Sequence, residues 1–576
     1  EPYRRQRQMC IRDRCIASSI GLSTLVALTL APALCAMILK SGEEKADFEF
    51  IQKFDDWFNG IRDKYLEGVN IFINSHAITV ILFVVILLFI SIMFYMIPKG
   101  FLPTEDKGAV FAQIQLPDGS SASRTDMVAN EVEDRILKID GVETTINLVG
   151  FSGENTALIV AQLTDWSKRK SKDLSMQSIL GKIQKEFANY PSATIAAFSP
   201  PSISGLGMFG GFEYQLLDKG DRSPQELYDE AQKLMAAANK DSAFQLVYTS
   251  FTANLPQLMI NVDEDKALAQ GVQISEIYNA LSGYFGKSYV NDFNKYGRVY
   301  RVYLQADSEY REKPGDINKI YVKNNQGTMV PLSSVVSVKN IVGPYSLTRF
   351  NMYPAITING QSRPGVSSGQ AMSAMESISN EVLPRDMGYA WSGSSLQEKE
   401  SSGQIGPILA MSLVFIYLFL VGLYESWMLP IAVLLISPVA LVGALFFQYI
   451  SGYSLDLYSQ IGLVMLIGLS TKQAILIIEF AKDAHQNGMG IKEAAMQAAK
   501  LRFRAVMMTN IAFILGLLPL VFASGAGAAS RNSVGMTVFG GMMAVAFIGT
   551  FLVPAFFVMI EDLKVYTAKK FKKKDN

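Results

Sequence analysis

Residues 458–483 read YSQIGLVMLIGLSTKQAILIIEFAKD. The run is apolar for longer than the roughly 20 helical residues that cross a bilayer, so it reads as a transmembrane helix. Near its middle stands Lys472, flanked by Ser470, Thr471 and Gln473, with apolar runs at 463–469 and 474–478 on its two sides. A lysine at that depth costs several kcal/mol unless it is paired or hydrated. One reading is a structural ion pair or a lysine snorkelling to the interface; about two helical turns separate it from the cytoplasmic end, a long reach for snorkelling. The other reading is a proton- or ion-coupling residue. The spans offer no carboxylate to pair with it, since Glu425, Asp456 and Glu479 fall at or near span ends. A lysine this deep should face one, so the counter-charge is expected from outside this chain. Downstream, Arg502 and Thr509 are spaced to share one helix face, two turns apart. On position alone Arg502 is equally an interfacial cation.

Working outward, the 576 residues are 49% hydrophobic and 18% charged, too apolar for a soluble protein of this size and too charged for one that is all membrane. Apolar spans are expected at 16–39, 77–97, 405–423, 430–450, 457–480, 506–522 and 534–560. Residues 41–76 place Phe50, Phe54, Trp57, Phe58, Ile61, Tyr65 and Val69 at helical spacing among charges. That pattern reads as an amphipathic helix on the membrane surface, with a partner-binding helix as the alternative. The tail, 563–576, is basic, and the 482–504 loop carries Lys482, Lys492, Lys500, Arg502 and Arg504. Span parity puts both on the side of 41–76, and the positive-inside rule makes that side cytoplasmic. The polar block from 99 to about 404 therefore lies outside the cytoplasm. Residues 1–15, EPYRRQRQMCIRDRC, resemble a translated sequencing adaptor and are expected to be non-native; a genuine basic tail is the alternative.

In the outer block the spacing predicts strands at 108–116, 143–148 and 157–163 around a helix at 121–137. The pattern recurs with strands at 212–217, 244–249 and 257–262 and a helix at 224–238. Two β-α-β-β units in succession imply a ferredoxin-like pair with antiparallel sheets. A strand-helix-strand set follows at 355–359, 368–382 and 389–392, after a mixed insertion at 263–342. The net charge of zero gives no electrostatic case for nucleic acid. Three cysteines form no disulfide framework or metal spacing. The Gly286-Lys287-Ser288 run lacks the upstream glycine of a phosphate loop, Leu281 standing there. Nothing marks an enzyme or a metal site.

Several motifs together resemble the C-terminal half of the resistance–nodulation–division efflux pumps, the AcrB-like hydrophobe/amphiphile exporters. They are VALTLAPALCAMILK at 26–40, KGFLPTEDKG at 99–108, YVNDFNKYGRVYRVY at 289–303, LYESWMLP at 423–430, GLSTKQAILIIEFAKD at 468–483 and LRFRAVMMTNIAFILGLLPL at 501–520. The resemblance covers nearly the whole chain from residue 16. It implies an α-helical multi-span membrane domain with an α+β periplasmic domain of ferredoxin-like porter subdomains. By it, spans lie at 16–40 and 77–98, with an interfacial helix at 41–76. The first C-terminal porter subdomain is 99–200, the second 201–262 with 343–395, the docking subdomain 263–342, and five spans fill 404–562. In that family a lysine in this helix pairs with two adjacent aspartates of the N-terminal half, and an arginine and a threonine on the next helix complete a proton relay. Lys472, Arg502 and Thr509 match those positions, so the partner supplying the paired aspartates is expected to be the chain's own N-terminal half. Ala505 stands where the family usually has proline, and Gln473 where it usually has asparagine. The resemblance also implies a substrate pocket: Phe151 on the loop between proximal and distal pockets, Phe198 at the cleft mouth and Tyr248 lining the distal pocket. From the residues alone, core packing is the other reading for each. The Phe151 loop is shorter than in multidrug types, and Pro200 replaces an apolar side chain.

The implied function is proton-driven export of hydrophobic or amphiphilic compounds from the bacterial inner membrane, with no cofactor beyond the proton gradient. The implied partners are amphiphilic small molecules, the lipid bilayer, two further copies in a homotrimer, a periplasmic adaptor and an outer-membrane channel. Two other readings stand beside it: a non-transporting receptor with a periplasmic ligand-binding domain, and an exporter of lipids of the same family.

Overall fold

The computed structural model describes residue 14 and residues 17–38, 49–203, 205–207 and 210–572. Apart from Arg14, the expected non-native start lies outside the described residues, as do the interfacial segment before residue 49 and the tail from 573.

Among the described residues seven helices are long and apolar enough to cross a membrane: Ala17–Met37, His76–Met96, Ile405–Tyr424, Leu429–Ile450, Leu457–Gln486, Ile491–Val521 and Ala528–Thr567. The number agrees with the sequence reading, but three helices run well past their apolar windows. Ile491–Val521 begins fifteen residues before the apolar run at 506 because its first turns still bury a face. Ala494, Ala495, Ala498, Ala499 and Phe503 point into the bundle while Lys500 and Arg504 point away. The last helix carries a π-helical turn at Val545–Gly549 and continues through Pro554.

The bundle is tightest where side chains vanish. Gly443 and Gly540 face each other across Leu429–Ile450 and the last helix, and a Cβ on Gly540 would sit 2.6 Å from the Gly443 carbonyl. Without a strong hydrophobic drive between helices in lipid, such close backbone approach is how they adhere. Glu49–Asn74 is the expected amphipathic helix. It buries Tyr65, Val69 and Ile73, one per turn, and leaves Phe54 and Trp57 exposed. Tyr65 stacks on Phe503 at 4.5 Å and meets Phe551 edge-on at 5.0 Å, fastening the helix to the bundle.

The outer block holds two sheets built alike. In the first, β1 (Ala109–Gln115), β2 (Val142–Val149), β3 (Thr156–Leu163) and β4 (Thr194–Phe198) lie antiparallel in the order β2-β3-β1-β4. Helices Ala122–Leu137 and Met176–Glu186 pack on it over a core that includes Val110, Ile114, Val132, Ile159, Ile179 and Ile183. In the second, β5 (Phe212–Asp218) lies between Tyr353–Ser362 and Met387–Ser392, and β6 (Phe244–Tyr248) pairs with the outer edge of Tyr353–Ser362. Its helices are Pro224–Ala238 and Ser368–Val382, over Tyr214, Leu234, Phe244, Ile356 and Met375. All four helices start the same way. Ser121, Ser175, Ser223 and Ser367 each accept a hydrogen bond from the backbone N–H three residues on, satisfying a donor the helix leaves free.

One expectation fails here. The strand at 257–262 was read as the third strand of the second unit. Instead Leu255–Val262 leaves the sheet and pairs along its full length with Val336–Gly343. Leu258 and Met259 stay exposed on it, while Ile260 and Val262 pack on the core of the insertion rather than on that of the sheet. The third strand is Tyr353–Ser362, which buries Ala355, Ile356, Ile358 and Gly360. Residues between the ribbon's strands form their own small core of Ala267, Val272, Ile277, Ile317, Val322 and Leu332.

One loop clips the outer block to the bundle through Glu105 and is braced within the outer block through Asp106. Glu105, in KGFLPTEDKG, accepts from the Ser530 N–H at 2.8 Å and the Ala529 N–H at 3.3 Å, a carboxylate on the positive end of the last helix. The next residue, Asp106, takes a two-pronged bond from Arg169 at 2.9 and 3.2 Å.

Candidate functional site

Leu457–Gln486 and Ile491–Val521 run antiparallel and meet at two polar levels. At one, the amides of Gln473 and Asn510 bond to each other; both residues are buried, and Gln473 Oε1 and Asn510 Nδ2 are left without partners. At the other, nearer the cytoplasmic loop, the Arg502 guanidinium lies over the Phe480 ring at 3.3 Å. These contacts fix where the sequence-derived residues point. In an antiparallel pair of helices, the residue preceding each member of a facing pair turns about 100° toward the same side. Lys472 precedes Gln473 and Thr509 precedes Asn510. Both therefore look out on one side at one depth, and both are exposed. Arg502 lies two turns from Thr509 on nearly the same face, half-buried, with its Nε unpartnered.

The structure thus places Lys472 and Thr509 on a common face with Arg502 along it, but bonds none of them to another. Thr509 Oγ1 donates to the Ala505 carbonyl at 2.8 Å, and Lys472 has no hydrogen bond or ion pair among the described residues. The face presents two cations and a hydroxyl; Glu479 lies two turns from Lys472 on the same helix, and among the described residues no ion pair joins it to either cation.

In the outer block, Phe198 ends β4 and Tyr248 ends β6, so two sheets bring them together. Their rings stack at 6.5 Å, and Phe198 meets Phe111 edge-on at 6.0 Å. Phe198 is almost fully buried, and Tyr248 keeps a buried hydroxyl without a partner. Burial pushes that phenol well above its usual range. The space beside them is about 10 Å³, room for one water. Phe151 is elsewhere, exposed on the turn between β2 and β3. That turn's residues 152–156 line a cavity of about 570 Å³ together with Gly119, Ser121, Thr249 and Tyr345. A third cavity, about 320 Å³, opens where the two sheets approach the bundle, between Phe101, Met176, Pro200, Phe212 and Ser368. Phe198 and Tyr248 form one site; Phe151 does not join them.

A model of the AcrB/AcrD/AcrF family matches residues 7–561. The chain belongs to that family. It is similar to the multidrug/solvent efflux pump membrane transporter MepB of Pseudomonas putida, 38% identical over 95% of this chain and 53% of that protein. It is also similar to the multidrug export protein AcrF of Escherichia coli K12, 37% identical over 95% of this chain and 54% of AcrF. The multidrug resistance protein MdtF of the same strain gives the same figures. The chain spans about half the length of the curated relatives it matches. Those relatives are named as efflux or export proteins of the membrane. The match takes in both the cationic face and the two sheets.

Sequence reasoning missed two features of this AcrB/AcrD/AcrF-family chain. Asn510 stands next to Thr509 in an apolar span, and a second amide there was the available signal for an interhelical pair with Gln473. Glu398, in SSLQEKESS, gave no signal; a carboxylate in a polar run reads as solvated until the fold puts it against a cavity.

Proposed function

We propose that this chain is the C-terminal half of a proton-motive-force-driven efflux pump that exports hydrophobic or amphiphilic compounds from the inner membrane and periplasm. The observation that carries the reading is the shared outward face of Lys472 and Thr509 at the middle of two spans. An exposed Lys472 and a half-buried Arg502 two turns away, neither of them paired with an acid among the described residues, suit a surface completed by carboxylates from another segment. The N-terminal half supplies the paired aspartates in this reading. Protonation of those acids would weaken their hold on Lys472, let the two helices shift, and alter the two sheets through the Glu105 clip. The relatives' names, multidrug and solvent pumps, support the substrate class. The strand order of each sheet supports two ferredoxin-like porter subdomains, 99–200 and 201–262 with 343–395, with 263–342 as the docking subdomain. Phe198 and Tyr248 would serve at the mouth and wall of the substrate pocket and Phe151 on the loop between pockets. The working pump would be a homotrimer with a periplasmic adaptor and an outer-membrane channel, and would need no cofactor.

The test is Lys472→Met in the pump that carries this chain, expressed in a drug-sensitive host. The expected result is loss of resistance at unchanged membrane abundance. Full resistance in the variant would overturn the coupling role.

A further inference from the structure

The loop that leads from the span His76–Met96 into the outer block is held to the bundle at two points. Leu455 N–H donates to the Pro98 carbonyl at 2.8 Å and Leu457 N–H to the Phe101 carbonyl at 3.0 Å, so the loop's first residues ride on the start of Leu457–Gln486. Four residues further on, Glu105 rides on the first turn of Ala528–Ala544, and β1 begins four residues after it. A third contact joins those two helices to each other. Asp456 stands between Leu455 and Leu457 as the N-cap of the helix that carries Lys472. Its Oδ1 accepts from the Ser459 N–H at 2.7 Å and also from the Ser533 hydroxyl at 2.7 Å. Ser533 lies three residues beyond Ser530, on the helix that Glu105 caps. Asp456, Ser459 and Ser533 are all buried. A cap needs only the first of these bonds; the second ties one helix to another. Gln448, from Leu429–Ile450, donates to the Ser533 carbonyl at 3.2 Å and steadies the same turn. The two tied helices stay close beyond it, since a Cβ on Gly462 would lie 3.0 Å from Thr537 Cβ. Loop, Lys472 helix and last helix therefore form a triangle with every side bonded, and Asp456 supplies the side buried in the bundle.

We propose that Asp456 is a positioning residue that passes movement of the Lys472 helix to the outer block, by holding the turn on which Glu105 sits. This rests on the reading of Lys472 as the proton-coupling residue and adds the mechanical step that follows it. Lys472 stands sixteen residues along the same unbroken helix, about 24 Å from Asp456. A packed helix shifts as one element, so a displacement at Lys472 arrives at its N-cap. Through Ser533 it reaches the first turn of the last helix, and through the Ser530 N–H it reaches Glu105 and the strand that follows. Without the Asp456–Ser533 bond, Glu105 follows the last helix alone. The link needs an acceptor oxygen at residue 456 rather than a charge, because both donors there, an N–H and a hydroxyl, are neutral.

The experiment uses the pump that carries this chain, reconstituted in phosphatidylcholine vesicles under a pH gradient. It reads ethidium export and proton influx together, and hydrogen exchange at the Ala529 and Ser530 amides in the same preparations. Ser533→Ala removes the bond between the helices and leaves the Asp456 cap on Ser459 in place. It should speed exchange at the two amides about tenfold, the scale of one lost hydrogen bond to a charged group, although the Ser533 side chain bonds neither of them. Ethidium export should fall by a similar factor while proton influx continues, so that more protons enter per ethidium exported. Asp456→Ala should do the same, and Asp456→Asn, which keeps an acceptor oxygen for both donors, should restore exchange rate and export alike. Export and influx that fall in equal proportion would make the bond a general stabiliser and overturn the inference. So would a Ser533→Ala pump that exports normally, or an Asp456→Asn pump as impaired as Asp456→Ala, which would make Asp456 a proton site. Lys472→Met is run beside them: if it keeps proton-driven ethidium export, the coupling reading itself falls and the link falls with it.

Discussion

Gln473 and Asn510 hold the only amide-to-amide bond between Leu457–Gln486 and Ile491–Val521 among the described residues, and each leaves one polar atom unsatisfied. The leftover atoms are complementary, an oxygen on Gln473 and an NH₂ on Asn510. A buried amide stripped of its partner costs about 1–3 kcal/mol, whereas removing both partners costs little. Asn510→Leu should therefore lower the melting temperature of the purified chain, and adding Gln473→Leu should recover most of the loss. A double variant that melts below the single one would show that the pair is not the fastening.

Helix contact at Gly540 should be intolerant of one methyl group. A Cβ there meets both the Gly443 carbonyl and Phe447 Cβ at 2.6 Å, backbone and near-backbone atoms that cannot swing aside. Overpacking of this kind costs about 1–3 kcal/mol. Gly516, in the middle of Ile491–Val521, has open space around its Cα. Gly516→Ala should be neutral or stabilising, by up to about 1 kcal/mol, since alanine restricts the unfolded chain. Thermal melts of the two variants in detergent should separate in that order, and equal melts would remove the close-approach argument.

Asp106 is the partner of a guanidinium that is only 2% exposed. Arg169 also donates to the Thr164 carbonyl at 2.6 Å, so its position survives the loss of the acid but its charge is left unpaired. Asp106→Ala should cost somewhat less than the roughly 3–5 kcal/mol of breaking a fully buried pair, because the aspartate side is 29% exposed. Asp106→Leu with Arg169→Met should cost less than Asp106→Ala alone. Chemical denaturation followed by tryptophan fluorescence reads the difference; additive losses would contradict it.

Glu398 sets a pH dependence of stability. Its folded value, about 7, stands above the unfolded carboxyl value, so the folded chain binds the extra proton between the two. Stability from this group is complete below the unfolded value and declines as pH rises toward 7, then levels off. Melting temperature should fall between pH 5 and pH 7.5, and Glu398→Gln should flatten that part of the profile. An unchanged slope in the variant would assign it to other groups.

The spans were legible because twenty apolar residues in a row have few other uses. The helix at Ile491 was not seen in full, because its first turns bury alanines, which hydropathy weighs lightly. The strands at 109–115 and 156–163 were legible from short β-rich runs bounded by turns. Leu255–Val262 misled because two-stranded ribbons and core strands share that pattern, and only the partner strand, some eighty residues on, distinguishes them. At the membrane face, Lys472 announced itself by its depth. That it shares a side with Thr509 depends on helix phase and on which residues face each other, and the one signal for that facing pair, a second amide at Asn510, says nothing of phase by itself.

The eight consecutive residue pairs from Val262–Val336 to Leu255–Gly343 give residues 263–335 a single doorway. Entry and exit lie side by side, and both edges of the opening are stitched before the excursion begins. The sheet below keeps its five-strand order whatever is threaded through. An ancestor needed only the ribbon to accept, lengthen or trade what now sits beyond it, so this portion can diverge like a detachable tool head while the handle stays the same.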